Sequence, residues 1–166
     1  MGKEKKKQMG VLGLVVALVV VLFGGVLFMG AVSGWFNDPS QVKLDAEYVC
    51  GEECDGGMME LDAAGYEELA KKGGSFVVFV DQEGCTTADR LREYVTDWSL
   101  SAGVKVYRMM FSEVKEASLH EVVKYYPSVA VVSRGVVVGA LKADSDEDAG
   151  AYNDYEDFKG WIGEWL

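Results

Sequence analysis

Cysteine, proline and histidine are all scarce in this chain of 166 residues, which holds three cysteines, two prolines and one histidine. A structural zinc site needs about four ligands, and His120 with these cysteines does not supply a recognisable ligand spacing. We therefore predict no metal site and no bound cofactor. An odd number of cysteines also allows at most one internal disulfide and leaves one thiol over.

Basic residues are also few, with 16 Lys and Arg against 27 Asp and Glu, for a net charge of −11. Four of the lysines fall within residues 1–7, so the remaining chain is more acidic still and shows no basic patch. A strongly acidic surface is repelled by phosphate backbones and anionic headgroups. The composition thus excludes nucleic acid as an expected partner.

Formally charged side chains are absent from residues 8–37, and residues 11–28 are almost wholly apolar. A helix of about 20 such residues crosses the hydrocarbon core of a bilayer, which predicts a single transmembrane anchor at 9–36 behind a basic cytoplasmic head at 1–8. Because positive residues favour the cytoplasmic side, the rest of the chain is expected outside the cell membrane, in a bacterial envelope. A cleaved signal peptide, with Ala31 and Ser33 at the cleavage site, is the alternative.

The predicted anchor contains Gly30 and Gly34 in a GxxxG spacing, which lets two transmembrane helices pack closely. This spacing predicts a weak homodimer through the anchor, although glycine is frequent enough in the span for the spacing to arise by chance. Another membrane protein is a further candidate partner.

A polar, turn-rich linker at 37–57 follows the anchor and holds Cys50 and Cys54. Three residues separate the two cysteines and one of them is glycine, so a local disulfide is feasible. Pairing of one of these cysteines with Cys85, or free and intermolecular thiols, are the alternatives.

Residues 58–166 alternate between β-branched or aromatic runs and amphipathic runs. The predicted order is strand, helix, strand, helix, strand, helix, strand, strand, helix, with the third helix at 113–125 and a hairpin turn at 133–135. Such alternation predicts an α/β domain with a parallel βαβ core and helices on both faces. The final hairpin adds an antiparallel edge, so the central sheet is expected to be mixed.

Two stretches carry a resemblance to a known family: SFVVFVDQEGC at 75–85 and YYPSVAVVSRGVVVGAL at 125–141. A cysteine after the second strand and a proline opening the hairpin strand resemble the thioredoxin family over about residues 58–166. The resemblance implies a thioredoxin-like fold, with Cys85 as the nucleophilic cysteine and Pro127 as a cis-proline facing it. It also implies a substrate groove beside Pro127, lined by Gly84, Thr86, Thr87 and Tyr126.

The chain departs from the family pattern at three positions. The family's C-x-x-C motif reads Cys85-Thr86-Thr87-Ala88 here, so Ala88 stands at the place of the resolving cysteine. Gly84 replaces the usual tryptophan, and Phe79 occupies the place of a buried acid. Without a second thiolate, a mixed disulfide cannot be resolved within the motif. Asp81 lies two residues after Phe79, and we expect it on the same side of the strand but nearer to solvent.

Cys85 lies at a predicted helix N-terminus, where unsatisfied N–H groups and the helix dipole stabilise a thiolate. The carboxylates of Asp81, Glu83 and Asp89 oppose this effect. The predicted function is thiol–disulfide exchange by a membrane-tethered protein, whose Cys85 forms mixed disulfides with exported proteins. The main alternative is a redox-inactive docking domain in the cell envelope, and a monothiol peroxidase or a disulfide-isomerase subunit is a third.

Overall fold

The computed structural model describes residues 41–51 and 55–166. The predicted head and anchor, with Gly30 and Gly34, therefore lie outside the described residues, as does Cys54. Within the described ranges, no helix is both long enough and apolar enough to cross a membrane.

Strands and helices alternate along the described chain, as the sequence pattern predicts. The strands are β1 (Met59–Glu60), β2 (Phe76–Asp81), β3 (Val106–Met110), β4 (Ser128–Ser133) and β5 (Val136–Ala140). The helices are α1 (Ala63–Lys71), α2 (Thr86–Ala102), α3 (Phe111–Val114) and α4 (Tyr155–Gly163). Short 3₁₀ turns lie at Ala46–Tyr48, Ser118–Glu121 and Gly150–Tyr152.

The five strands form one sheet in the order β1-β3-β2-β4-β5. β3 is parallel to both β1 and β2, whereas β4 is antiparallel to β2 and to β5, which confirms the predicted mixed sheet. Val80 of β2 pairs with Ser128 of β4. The carboxyl end of β2 and the beginning of β4 therefore lie next to each other, at the same end of these strands.

Both faces of the sheet are covered, which explains why β2 is a continuous apolar run. Successive side chains of a strand point to opposite faces, so Phe76, Val78 and Val80 enter one core cluster. Val77 and Phe79 enter the other cluster, which contains the apolar faces of α2 and α4. A strand buried on both faces has no room for the polar residues that alternate along a half-exposed strand.

The helix predicted at 113–125 is wrong. The chain forms only the single turn of α3 and then the 3₁₀ turn Ser118–Glu121. Val122 and Tyr125, two apolar residues of this segment, are about half exposed, while Leu119 is fully buried. The buried positions do not share one 3.6-residue stripe, so a continuous helix could not bury them together.

The hairpin between β4 and β5 turns at Arg134 and Gly135, which have φ angles of 52° and 78°. Two positive φ values are typical of the tight turns that match the twist of hairpin strands. A Cβ at Gly135 would lie 2.0 Å from the carbonyl oxygen of Ala70, so the close approach of α1 also requires glycine there.

Candidate functional site

Cys85 is the N-cap residue of α2 and ends the loop 82–85 that joins β2 to this helix. Its thiol is free and partly exposed. Its backbone carbonyl accepts the N–H of Asp89 at 3.0 Å, but its side chain makes no capping hydrogen bond. The thiol therefore lies at the start of a 17-residue helix without being used to cap it.

The residue before this cysteine, Gly84, has a φ of 73°, a backbone conformation that side-chain-bearing residues rarely adopt. A Cβ on Gly84 would meet nothing within 4 Å. Backbone conformation, rather than lack of space, therefore accounts for glycine where the family pattern has tryptophan. Thr86 is exposed and Thr87 is partly exposed beside it.

The Tyr126–Pro127 peptide bond is cis, the geometry that the resemblance implies. Val80 of β2 pairs with Ser128 of β4 in an antiparallel ladder. Asp81 follows Val80 and Pro127 precedes Ser128, so both lie at the same end of these two strands. The carbonyl oxygen of Pro127 accepts the hydroxyl of Tyr152 at 2.9 Å. The structure thus brings the proline segment next to the end of β2, where the loop that carries Cys85 begins.

Tyr126 is only partly available to a groove. Its ring packs against Phe111 with centroids 5.8 Å apart, and its hydroxyl lies 3.3 Å from Nδ1 of His120. Burial raises the pKa of Tyr126. Its hydroxyl therefore stays protonated at neutral pH and acts as a neutral hydrogen-bonding group.

Asp81 is fully buried, so the expectation that it lies near solvent is wrong. Two arginines cover its carboxylate. Nη2 of Arg92 donates to Oδ1 at 2.8 Å and to Oδ2 at 2.9 Å, and Nε of Arg92 donates to Oδ2 at 3.1 Å. Nε of Arg108 donates to Oδ2 at 2.7 Å. The carboxylate is enclosed by donors instead of water.

Each arginine also binds a second carboxylate, which extends the ion pairs to the surface. Nη1 of Arg92 donates to Asp89 at 2.9 Å, and Nη1 of Arg108 donates to Glu60 at 3.0 Å. We call these five residues the Asp81 network. It joins β1, the end of β2, β3 and the first turns of α2.

The network fixes the protonation state of Asp81. Burial by itself raises the pKa of this carboxyl, but the hydrogen bonds and positive charges of Arg92 and Arg108 outweigh burial and hold the pKa below its usual value. An ionised carboxylate that accepts four hydrogen bonds is a poor proton shuttle at neutral pH. Its role here is structural, because it ties β2 to α2 across the loop that carries Cys85.

An open cleft of about 540 Å³ lies next to this loop and is lined by Glu83, Gly84 and four members of the network. Both arginines in the cleft are already bonded to two carboxylates each. The cleft therefore offers a net acidic surface beside the loop that ends at Cys85.

No second thiol lies within the motif. Ala88, at the place of the resolving cysteine, is fully buried in the first turn of α2. Cys50 takes part in a disulfide while Cys85 is free, so the alternative pairing of Cys50 with Cys85 is not the state seen. Cys54 lies outside the described residues, and its pairing with Cys50 stays a prediction.

A metal site was not predicted from the sequence. In the described part of the chain, no three His, Cys, Asp or Glu side chains are grouped so that they could hold a metal ion.

Known proteins are similar to this chain in structure and not detectably in sequence. No family model matches the chain, and no curated protein matches it. The chain is similar to mitochondrial thioredoxin 3 from Saccharomyces cerevisiae, at 14% identity over 64% of this chain and 94% of that one, with a TM-score of 0.48. It is also similar to oxidised thioredoxin from Plasmodium falciparum, at 15% identity over 65% of this chain and 97% of that one, with a TM-score of 0.50.

At such identities the similarity to the Plasmodium protein establishes the fold and nothing finer. The strand order, the parallel βαβ core and the antiparallel β4–β5 hairpin agree with it. The described domain of this protein therefore has a thioredoxin fold.

Proposed function

We propose that this protein is a membrane-tethered thiol–disulfide exchange protein that acts outside the cell membrane, through mixed disulfides between Cys85 and exported proteins. The observation that carries the proposal is a free, partly exposed thiol at the N-cap of α2 in a thioredoxin fold. The tether and its orientation rest on the uncharged run 8–37 and the basic head 1–8.

The proposed reaction is one exchange step. The thiolate of Cys85 attacks one sulfur of a substrate disulfide, the substrate S–S bond breaks, and a Cys85–substrate S–S bond forms. The second substrate sulfur leaves as a thiolate and takes up a proton from water. The first N–H groups of α2 have no partner within the helix, and they favour negative charge on the attacking sulfur.

The substrate chain would lie along the groove between the loop of Cys85 and the segment of Pro127. Gly84, Thr86 and Thr87 border Cys85 on one side, and Tyr126 and Pro127 form the other side. Gly84 and Thr86 are exposed and Cys85 is partly exposed, so the thiol is accessible to a substrate segment.

The reaction would stop at the mixed disulfide. Resolution needs a second thiolate, and a buried alanine stands at that place in the motif. Asp81 cannot assist by moving a proton, because its carboxylate is ion-paired on both oxygens. A thiol of a second protein or a small thiol would release the substrate, because Cys50 is itself held in a disulfide.

The buried alanine at position 88 and the ion-paired Asp81 also favour a second candidate function, a docking domain without redox activity. A fold that has lost its resolving thiol and its proton shuttle still offers a groove. In that case a partner would bind at Cys85 and Pro127 without forming a covalent bond.

Trapping in cells separates the two candidates. We expect the full chain, after acid quenching and alkylation of thiols, to run as several reducible species that contain exported proteins. Cys85→Ser should abolish these species, whereas Ala102→Ser, at the exposed other end of the same helix, should retain them. Mass spectrometry of the excised bands identifies the partners.

Three outcomes would contradict the proposal. Species that persist in Cys85→Ser would place the chemistry on another cysteine, and an absence of reducible species would favour docking. Partners that are all cytoplasmic would overturn the orientation.

A further inference from the structure

β5 forms one edge of the sheet, and among the described residues it pairs only with β4. Alternate backbone N–H and C=O groups of such a strand point away from its neighbour and lack a strand partner. Edge strands of stable proteins commonly carry lysine or proline, which oppose further pairing. β5 reads VVVGA and carries neither. A bulge in its ladder with β4 alters the twist of this edge without covering it.

Apolar side chains surround this edge. Val136 is 64% exposed and Val138 is 39% exposed on β5 itself. Val122 and Tyr125, at 47% and 55%, come from the segment before β4 and border the clefts that flank β5. We call these four residues the β5 patch. Val122 and Val138 line one of these clefts, and Val122 and Tyr125 line the other. Exposed apolar side chains grouped in this way mark interaction sites.

A cleft of about 330 Å³ runs along β5, with Val122 on one wall and Trp161 and Trp165 on the other. The indole of Trp165 lies directly over Gly139, where a Cβ would come within 2.5 Å of the ring. Its Nε1 is buried and has no hydrogen-bond partner among the described residues. A buried donor without an acceptor is unfavourable, and because the Trp165 ring lines the cleft, its N–H resonance would respond to a bound peptide.

The rim of this cleft is acidic. Glu147, Asp148 and Glu164 line it against a single cation, Lys142. A second copy of this chain would set one acidic rim against another, in a protein whose net charge is already −11. Charge complementarity therefore favours a basic partner over a second copy.

We propose that the β5 patch binds an extended, basic segment of a partner protein. The segment adds to β5 as a further strand, packs against the indole ring of Trp165, and directs its lysines or arginines to the acidic rim. Strand addition supplies affinity through backbone hydrogen bonds, and alternate side chains supply specificity. This surface does not use Cys85, so it stands whether or not the thiol exchanges.

The test is a titration of the ¹⁵N-labelled full chain in detergent micelles, with a blocked heptapeptide in which lysine and valine alternate. We expect the backbone amides of residues 136–140 and the indole N–H of Trp165 to shift together. Val136→Lys should weaken binding roughly tenfold, because it removes apolar surface and sets like charges together. Val49→Lys, at an equally exposed valine away from the patch, should not weaken it.

Two control peptides sharpen the result. Replacing the central valine of the peptide with proline removes a backbone donor, and replacing its lysines with glutamate reverses its charge. Both changes should abolish the shifts. The proposal is overturned if the lysine peptide shifts residues elsewhere or none, or if the glutamate peptide binds as well. It is also overturned if the same resonances move on dilution of the protein alone, because a second copy would then occupy the patch.

Discussion

Replacing Asp81 with asparagine is expected to lower the free energy of unfolding by about 2–4 kcal/mol, because it removes the buried member of an ion-paired network. Both arginines then lose the carboxylate that neutralises them, and Arg108 keeps only the exposed Glu60. Urea denaturation of the full chain in detergent, followed by tryptophan fluorescence, measures the loss.

Asp89→Asn is the matched control, since it removes a carboxylate from the same network at a position that is largely exposed. Exposed ion pairs contribute about 0–1 kcal/mol, so this variant should remain close to the original protein. Equal losses in the two variants would contradict the assignment of Asp81 as the centre of the network.

The pH dependence of stability follows from the lowered pKa of Asp81. A carboxyl group whose pKa is lower in the folded state than in the unfolded state stabilises the fold above its unfolded pKa, about 4. That stability is lost as the pH falls through the lowered folded value. The difference between the original protein and Asp81→Asn should therefore be constant above about pH 5 and shrink below about pH 4. A difference that instead grows on acidification would refute the ion-paired state.

Ala88→Cys is expected to shorten the lifetime of mixed disulfides at Cys85 on the order of a hundredfold or more, because it converts resolution into an intramolecular step. Ala88 lies three residues after Cys85 in the first turn of α2, where a second thiol is close to the first. The introduced thiolate attacks the sulfur of Cys85, the adduct leaves as a thiolate, and an internal disulfide remains. Intact mass after reaction with hydroxyethyl disulfide follows the loss of the adduct.

Ala102→Cys is the control for an added thiol, because it makes the same change at the exposed other end of the same helix. The two ends are about 25 Å apart, so this variant should carry two adducts and keep both. If Ala88→Cys also kept its adduct, the loss of the resolving cysteine would not be what limits turnover.

Much of the fold was predictable because its strongest signals are local. The short β-branched and aromatic run at 75–80 is typical of a strand buried on both faces, and the 3.6-residue period of α2 extends over several turns. The segment 113–125 was not predictable in the same way. Its apolar residues are too irregularly spaced to specify a helix, and contacts with the rest of the domain decide its path.

Features of the site that depend on the place of a single residue in the chain were predictable. Features that depend on a contact with a residue distant in sequence were not. The place of Cys85 after β2 and the cis bond before Pro127 follow from the resemblance to the thioredoxin family. The burial of Asp81 depends on the register of β2 and β3, which pairs Arg108 with Phe79 and so places the arginine on the face of Asp81. Arg108, a charged residue between Tyr107 and Met109 in β3, is the signal in the sequence that could have pointed to a buried carboxylate.

We propose that Cys85 forms a mixed disulfide that the chain cannot resolve. The most direct measurement is the intact mass of the full chain during reaction with hydroxyethyl disulfide, followed by peptide mapping. We predict one hydroxyethylthio group on Cys85, formed faster than on the urea-unfolded chain and retained until a small thiol is added. A folded chain whose Cys85 stays unmodified, or reacts more slowly than in the unfolded chain, would contradict the account.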